Sequence, residues 1–376
     1  YLLFVPEDYD PETRHRLVVD MHGGVSRPQL LTHAELEQMK FFWGEHAREH
    51  GYLLALPTGQ TGAEWWTETG AENVLSLIGE VKREYNVDEN RVFATGFSDG
   101  GSGSYYLALT HPTPFAGFIP LNGHPAVAGA AGLQIHARNF VNKPMYAINT
   151  ENDSLYPSAS VKPIMEALKE IGAPVVWKDI PKFTHNPMYL PEERPAIWTW
   201  AKATVRDPHP KRVVWEGTAG APHRVHWLSV GRVAELEGGA AFDDVNPFLL
   251  APERMRIGVS LDMQFAGPGL KVTKVVEGSP AQAARIETGD VITAFDGTEI
   301  PDFRVLRGLL GEKKPEDAFT VAVQRGDETH EFEGRFPKVE PSPAFRRTKP
   351  YGSIEATCSR NRFEIRSRNV AAFDLY

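Results

Sequence analysis

RVFATGFSDGG, residues 91–101, decides how the rest of the chain is read. RVFATGFS has strand character, and SGSYYLALTH (102–111) has helical character. Between them Ser98 stands among glycines. Gly96-Phe97-Ser98-Asp99-Gly100 fits G-x-S-x-G, a strand–turn–helix pattern that exposes a serine at the carboxyl edge of a sheet. So tight a turn forces strained dihedrals on the serine, and Gly96, Gly100 and Gly101 leave room for the backbone to close.

Working outward, residues 1–205 alternate strand-like and helix-like segments. RLVVDMHGG, YLLALP, FAGFIPLNG, PMYAINT and PVVWKDI read as strands. HAELEQMKFFWGEHAREH reads as a helix closed by Gly51, and the spacing of Val74, Leu77, Ile78, Val81 and Tyr85 predicts another over 72–85. ERPAIWTWAKATV reads as a last helix. Such alternation predicts an α/β fold, a mainly parallel sheet with helices on both faces.

A nucleophilic serine of this type takes its acid and then its histidine from later loops. Asp153, past the strand PMYAINT, is the preferred acid, with Glu151 as its rival. His185, in PKFTHNP after the next strand, is the base. The oxyanion of such a reaction needs two backbone N–H donors. The residue after the serine, Asp99, supplies one, and Gly24, in the loop after RLVVDM, is the expected second. His22, Trp65, Trp66 and His124 are candidate substrate contacts, with packing as the competing reading of the two tryptophans. No cofactor is required by this chemistry.

The 376 residues suggest two or three domains. A net charge of −9 argues against a nucleic-acid partner. No apolar run approaches the roughly 20 residues of a membrane helix. The single cysteine, Cys358, cannot form an intrachain disulfide, so redox chemistry does not reveal the compartment. The sequence begins at Tyr1 inside YLLFVP, and a periplasmic or secreted location is expected if a leader preceded it. After RDPHPKR (206–212) the pattern turns to antiparallel strands. The expected division is 1–205, a β-rich segment 206–251 forming one module with 351–376, a separate unit 252–338, and a Pro-rich linker 339–350.

Taken together, MHGG, RVFATGFSDGG, NDSLYP and FTHNP resemble the α/β-hydrolase superfamily, in particular bacterial serine esterases of the polyhydroxybutyrate-depolymerase and feruloyl-esterase type. The resemblance covers about 1–205. It implies a carboxylic ester hydrolase with nucleophile Ser98, acid Asp153, base His185 and oxyanion donors around Gly24 and Asp99. The substrate would be a small or polymeric ester. Asp99 departs from the uncharged residue common in relatives, and its carboxylate is expected to point outward. A peptidase on the same triad, or an inert scaffold, are the alternative functions.

RIGVSL, VTKVVEGSPAQAARIETGDVITAFDGTEI and DFRVLRGLLG resemble a bacterial PDZ domain. That resemblance implies a carboxylate-binding loop at Ile257, Gly258 and Val259, a groove helix over about 302–310, and a peptide C-terminus as partner. Docking within the protein is the competing use. Two further patterns read as structural. HAREH (46–50) matches H-x-x-E-H, but it ends an amphipathic helix and lacks a third ligand, so no metal is expected. The arginines at 360, 362, 366 and 368 alternate on a solvated strand face.

Overall fold

The computed structural model describes residues 1–220, 224–234, 246–249, 255–262, 265, 267–338 and 342–376. Parts of the expected segments 206–251 and 252–338, and residues 339–341, lie outside the described residues. The chain divides into two compact units, Tyr1–Phe248 with Pro343–Tyr376, and Leu249–Ser342.

The first unit is built on a 7-stranded sheet in the order β1-β3-β2-β4-β5-β6-β7. Its strands are β1 (Leu2–Phe4), β2 (His15–Met21), β3 (Leu53–Leu56), β4 (Val87–Phe97), β5 (Gly117–Leu121), β6 (Met145–Thr150) and β7 (Val175–Ile180). β1 runs antiparallel to β3, and the remaining pairings are parallel. Buried runs such as LLAL in β3 and GFIPL in β5 are what a sheet covered on both faces requires.

Helices α1 (His33–His50), α2 (Glu68–Glu84), α3 (Asp99–Thr110), α4 (Ser158–Glu170) and α5 (Leu190–Ala203) connect the strands. Leu36 and Trp43 of α1 and Ile197 and Ala201 of α5 share a core with Val18, Leu54 and Phe93 of the sheet. α1 starts where Thr32 and Glu35 form a reciprocal capping box and stops at Gly51, whose φ of 65° suits glycine. α2 begins a turn before the expected Glu72, because the Thr67 hydroxyl accepts the Gly70 N–H and caps it there. His46 is buried at the end of α1 within hydrogen-bond distance of Tyr52 and edge-on to Trp198, which is a packing role.

Beyond α5 the same unit carries β8 (Arg212–Thr218), β9 (Arg224–Val225), β10 (Leu228–Val233), β19 (Tyr351–Ser359), β20 (Arg362–Arg368) and β21 (Val370–Leu375). β19 pairs with both β8 and β20, and β10 pairs with both β9 and β21. Strands 130 residues apart in sequence therefore share sheets, over a common core that includes Trp215, Leu228, Val230 and Ile354. Arg224–Val225 and Leu228–Val233 are separate strands, since His226 takes φ 54° at the turn between them. The segment expected as a linker is packed where it is described. Phe345 is 2% exposed, its backbone is held at both N–H and C=O by the Asn246 amide, and Gln134 binds the Thr348 and Lys349 amides.

Short strands β11 (Phe248–Leu249) and β18 (Ser342–Pro343) stand where the chain passes between the units. The second unit has β12 (Val259–Leu261), β13 (Leu270–Val275), β14 (Val291–Phe295), β15 (Thr298–Glu299), β16 (Ala318–Arg325) and β17 (Glu328–Arg335), with helices α6 (Pro280–Ala283) and α7 (Phe303–Glu312). Ile257, Val272, Ile292, Phe295, Leu306 and Val321 belong to its own core. Among the described residues, no helix is long and apolar enough to cross a membrane.

Candidate active site

β4 ends at Phe97 and α3 begins at Asp99, so Ser98 is the entire connection. Its dihedrals, φ 60° and ψ −118°, are of a kind that costs of the order of 1–3 kcal/mol and is held only by its surroundings. The glycines explain how the turn closes. A Cβ on Gly96 would stand 2.4 Å from the Met21 carbonyl oxygen, and one on Gly100 only 1.8 Å from it. The Ser98 amide donates to Leu121 O at 2.9 Å, tying the turn to the end of β5.

Three side chains from three loops meet here. His185 Nε2 lies 2.8 Å from Ser98 Oγ, and His185 Nδ1 lies 2.7 Å from Asp153 Oδ2. Asp153 can only accept, so Nδ1 carries the proton and Nε2 is left as the acceptor for the serine hydroxyl. Asp153 Oδ1 accepts the Leu155 and Tyr156 amides at 2.7 and 2.9 Å. Burial by itself would raise this carboxyl, but the bonds from His185, Asn122 and the two amides outweigh it and hold it below the usual range. Glu151 is turned elsewhere and accepts the Lys182 amide.

Asn122 is a member of the cluster that the sequence reading passed over. It is fully buried, with φ 46° just past β5. Its Nδ2 donates to Asp153 Oδ2 at 2.8 Å and to Thr150 Oγ1 at 2.6 Å, and its Oδ1 accepts the Tyr189 hydroxyl at 2.6 Å. The signal available was an Asn-Gly pair at a strand's carboxyl end, which reads first as a turn.

Asp99 corrects an expectation. Its carboxylate does not point outward: Oδ2 accepts the Val25 amide at 2.9 Å, and the Tyr156 hydroxyl lies 3.5 Å from Oδ1. A carboxylate is drawn there by the backbone N–H of the loop after β2. Gly24, in that loop, has φ 62°. Its neighbour Gly23 approaches Ser98 so closely that an added Cβ would stand 3.1 Å from Ser98 Cβ.

The other expected contacts are mostly internal. His22 is buried, with Nδ1 2.8 Å from Gly23 O and Nε2 accepting the Gly59 amide at 3.0 Å. Both nitrogens are committed to loop backbone, and burial lowers its basicity. Trp65 is 1% exposed and donates its indole N–H to His22 O at 2.8 Å, so it packs in the interior rather than facing open space. Trp66 is half-buried. His124 accepts the Ala126 amide and is held neutral by burial, its basicity pushed down to about 4.

In the second unit, Gly258 has φ 87°, and a Cβ there would stand 2.2 Å from Ser279 Cβ. The Ile257 and Gly258 carbonyls accept the Ala281 and Val276 amides, so the start of β12 is pinned to the segment leading into α6. Val259 and Leu261 of β12 and Val305 and Leu309 of α7 are partly buried against that unit's core. The expected groove helix ends two residues later than foreseen, at Glu312, with Asp302 as its cap.

Comparison with known proteins places these features. A phospholipase/carboxylesterase family model matches residues 63–189. The probable feruloyl esterase C of Aspergillus terreus is 28% identical over 159 residues, 40% of this chain and 56% of that protein. A bifunctional acetylxylan esterase/xylanase of Neocallimastix patriciarum is 28% identical over 156 residues, 41% of this chain and 21% of that protein. The crystal structure of a thermostable esterase overlays with a TM-score of 0.46 at 25% identity, covering 54% of this chain and 58% of that one. The chain thus spans about half or less of the length of these curated relatives. A PDZ domain model matches residues 255–334. The chain therefore carries an α/β-hydrolase fold and, over residues 255–334, a PDZ domain.

Proposed function

We propose that the protein is a serine hydrolase of carboxylic esters, and that Ser98, His185 and Asp153 carry the reaction. The observation that carries this is the continuous hydrogen-bonded line from Ser98 Oγ through both nitrogens of His185 to a buried carboxylate. His185 Nε2 takes the hydroxyl proton as Ser98 Oγ attacks the ester carbonyl, and it then returns that proton to the leaving alcohol. Asp153 fixes the tautomer and stabilises the imidazolium, and Asn122 holds Asp153. The Asp99 and Gly24 amides are the proposed oxyanion donors. Val25 is not chosen, because its N–H is already bonded to Asp99. Water then clears the acyl-enzyme by the same route in reverse. Relatives named as esterases favour an ester over a peptide substrate.

The division into a catalytic unit, a β-module assembled from both sides of the PDZ domain, and the PDZ domain itself belongs to the same proposal. So does capture of a peptide C-terminus by the loop at Ile257–Val259 beside α7. The test is hydrolysis of short-chain nitrophenyl esters by the full chain. Turnover that disappears in Ser98→Ala supports the assignment. Undiminished turnover in that variant sinks it.

A further inference from the structure

Asp20 lies on β2, two residues before the loop at His22–Gly24, and the reaction proposed above makes no use of it. It is 2% exposed, and its Oδ2 has no hydrogen-bond partner among the described residues. Leaving such an atom unpaired is costly, because it has lost its water without gaining a partner. Burial pushes the carboxyl up to about 8, so it is largely protonated at neutral pH. In that form it offers one O–H donor and keeps acceptor capacity.

Asp20 also lines a cavity of about 170 Å³ whose other walls include Gly23, Leu31, Met39, Phe42 and Phe97. Apolar cavities of about 150 Å³ accept a molecule of benzene, which sets the scale of the occupant. Two walls adjoin the proposed catalytic residues. Phe97 precedes Ser98 in the chain, and its ring centroid lies 4.9 Å from that of His185. Gly23 abuts Ser98, as described above. Glu35, also in the wall, is tied to Thr32 and Arg27, and its side chain is partly solvent-exposed. It therefore marks the solvent side, with Asp20 on the buried side.

We propose that this cavity receives the substrate group next to the scissile ester, and that Asp20 selects a compact group bearing one hydroxyl over the same group without it. The inference rests on the ester-hydrolase reading. The apolar walls reward size and shape. A hydroxyl satisfies Asp20, whereas a purely apolar group leaves it buried and unpaired, and sites built for a hydroxyl reject analogues lacking one.

Phenol and benzene, matched but for the hydroxyl, are the probes, with affinities measured by titration against the full chain. Wild type binds phenol more tightly than benzene by up to about tenfold, the size of one net buried hydrogen bond. Ser98→Ala keeps that preference, because no chemistry is involved. Asp20→Leu loses or reverses it, and Asp20→Asn, which still donates and accepts, keeps it. Phenol also competes with ester turnover in wild type. Equal affinities in wild type, a result that needs no variant, or a preference surviving in folded Asp20→Leu, overturn the assignment of Asp20. Phenol binding without competition overturns the substrate role of the cavity. A wild type that prefers phenol but shows no Ser98-dependent ester turnover sinks the hydrolase reading instead, so the two failures are distinguishable.

Discussion

The carboxylate of Asp99 accepts the Val25 amide at 2.9 Å, so the residue after Ser98 holds the loop that follows β2. That loop carries the proposed second oxyanion donor, and it is also held through His22, whose Nε2 accepts the Gly59 amide and whose carbonyl accepts the Trp65 indole N–H. Asp99 is therefore a positioning residue. Asp99→Ala should lower kcat by about ten- to a hundredfold, less than deleting a donor outright, with little change in KM. Asp99→Asn, whose amide oxygen can still accept the Val25 N–H, should stay near wild type. Steady-state kinetics on a soluble nitrophenyl ester separate the two variants. Equal losses in both would assign the effect to charge rather than to the loop.

Asp153 and Glu151 sit two residues apart, and only Asp153 reaches His185. Asp153→Asn should reduce kcat by about 10⁴-fold, because an amide in that position favours the wrong imidazole tautomer. Glu151→Gln should change it little. The reverse outcome would move the acid to Glu151.

How much of this was legible beforehand follows from what each feature depends on. The elbow and the proposed acid and base are local: a short glycine-flanked serine, and single residues on loops just past strands. Their order along the chain carried them. Asn122 was not legible, because its role exists only where the ends of β5 and β6 lie side by side. The direction of the Asp99 side chain was misread for the same reason, since its partner Val25 is 74 residues away. Helix α4 keeps Val161, Ile164, Met165 and Leu168 at helical spacing, but Pro163 inside it reads in sequence as a helix breaker. Strand character on both sides of the intervening unit led to the expectation of one module there, but no local pattern reports the register of β8 against β19, with Tyr351 opposite Thr218.

Asp20 also leaves a signature in stability. Its folded carboxyl, raised to about 8 from an ordinary 3.8, binds a proton more tightly than the unfolded chain does. Its contribution is therefore greatest in acid and is lost as pH rises from about 4 to about 8. Buried histidines such as His46, whose basicity burial pushes down to about 4, act oppositely over pH 4–6.5. The difference between wild type and Asp20→Asn isolates the carboxyl. Denaturant unfolding at pH 5 and pH 8 should show wild type losing stability relative to the variant. A pH-independent difference would mean that Asp20 is ionised in the fold.

The PDZ domain has its own core, and Ser98, Asp153 and His185 all precede residue 205. Deleting 252–338 and closing the gap should leave small-ester kcat/KM within about tenfold, provided the product is folded by circular dichroism. Polymeric substrates or a partner protein should lose affinity, since a tethered second site raises effective concentration. A folded deletion with no small-ester activity would show that the PDZ domain shapes the active site.

The most direct measurement is labelling of the full chain with a fluorophosphonate, followed by peptide mapping. A serine activated by His185 attacks the phosphorus and is left covalently modified, whereas ordinary serines are not. The predicted result is a single modification on Ser98, lost in Ser98→Ala and strongly slowed in His185→Ala. Absence of labelling in folded wild type, or labelling at another residue that abolishes ester turnover, would contradict the assignment of Ser98 as nucleophile.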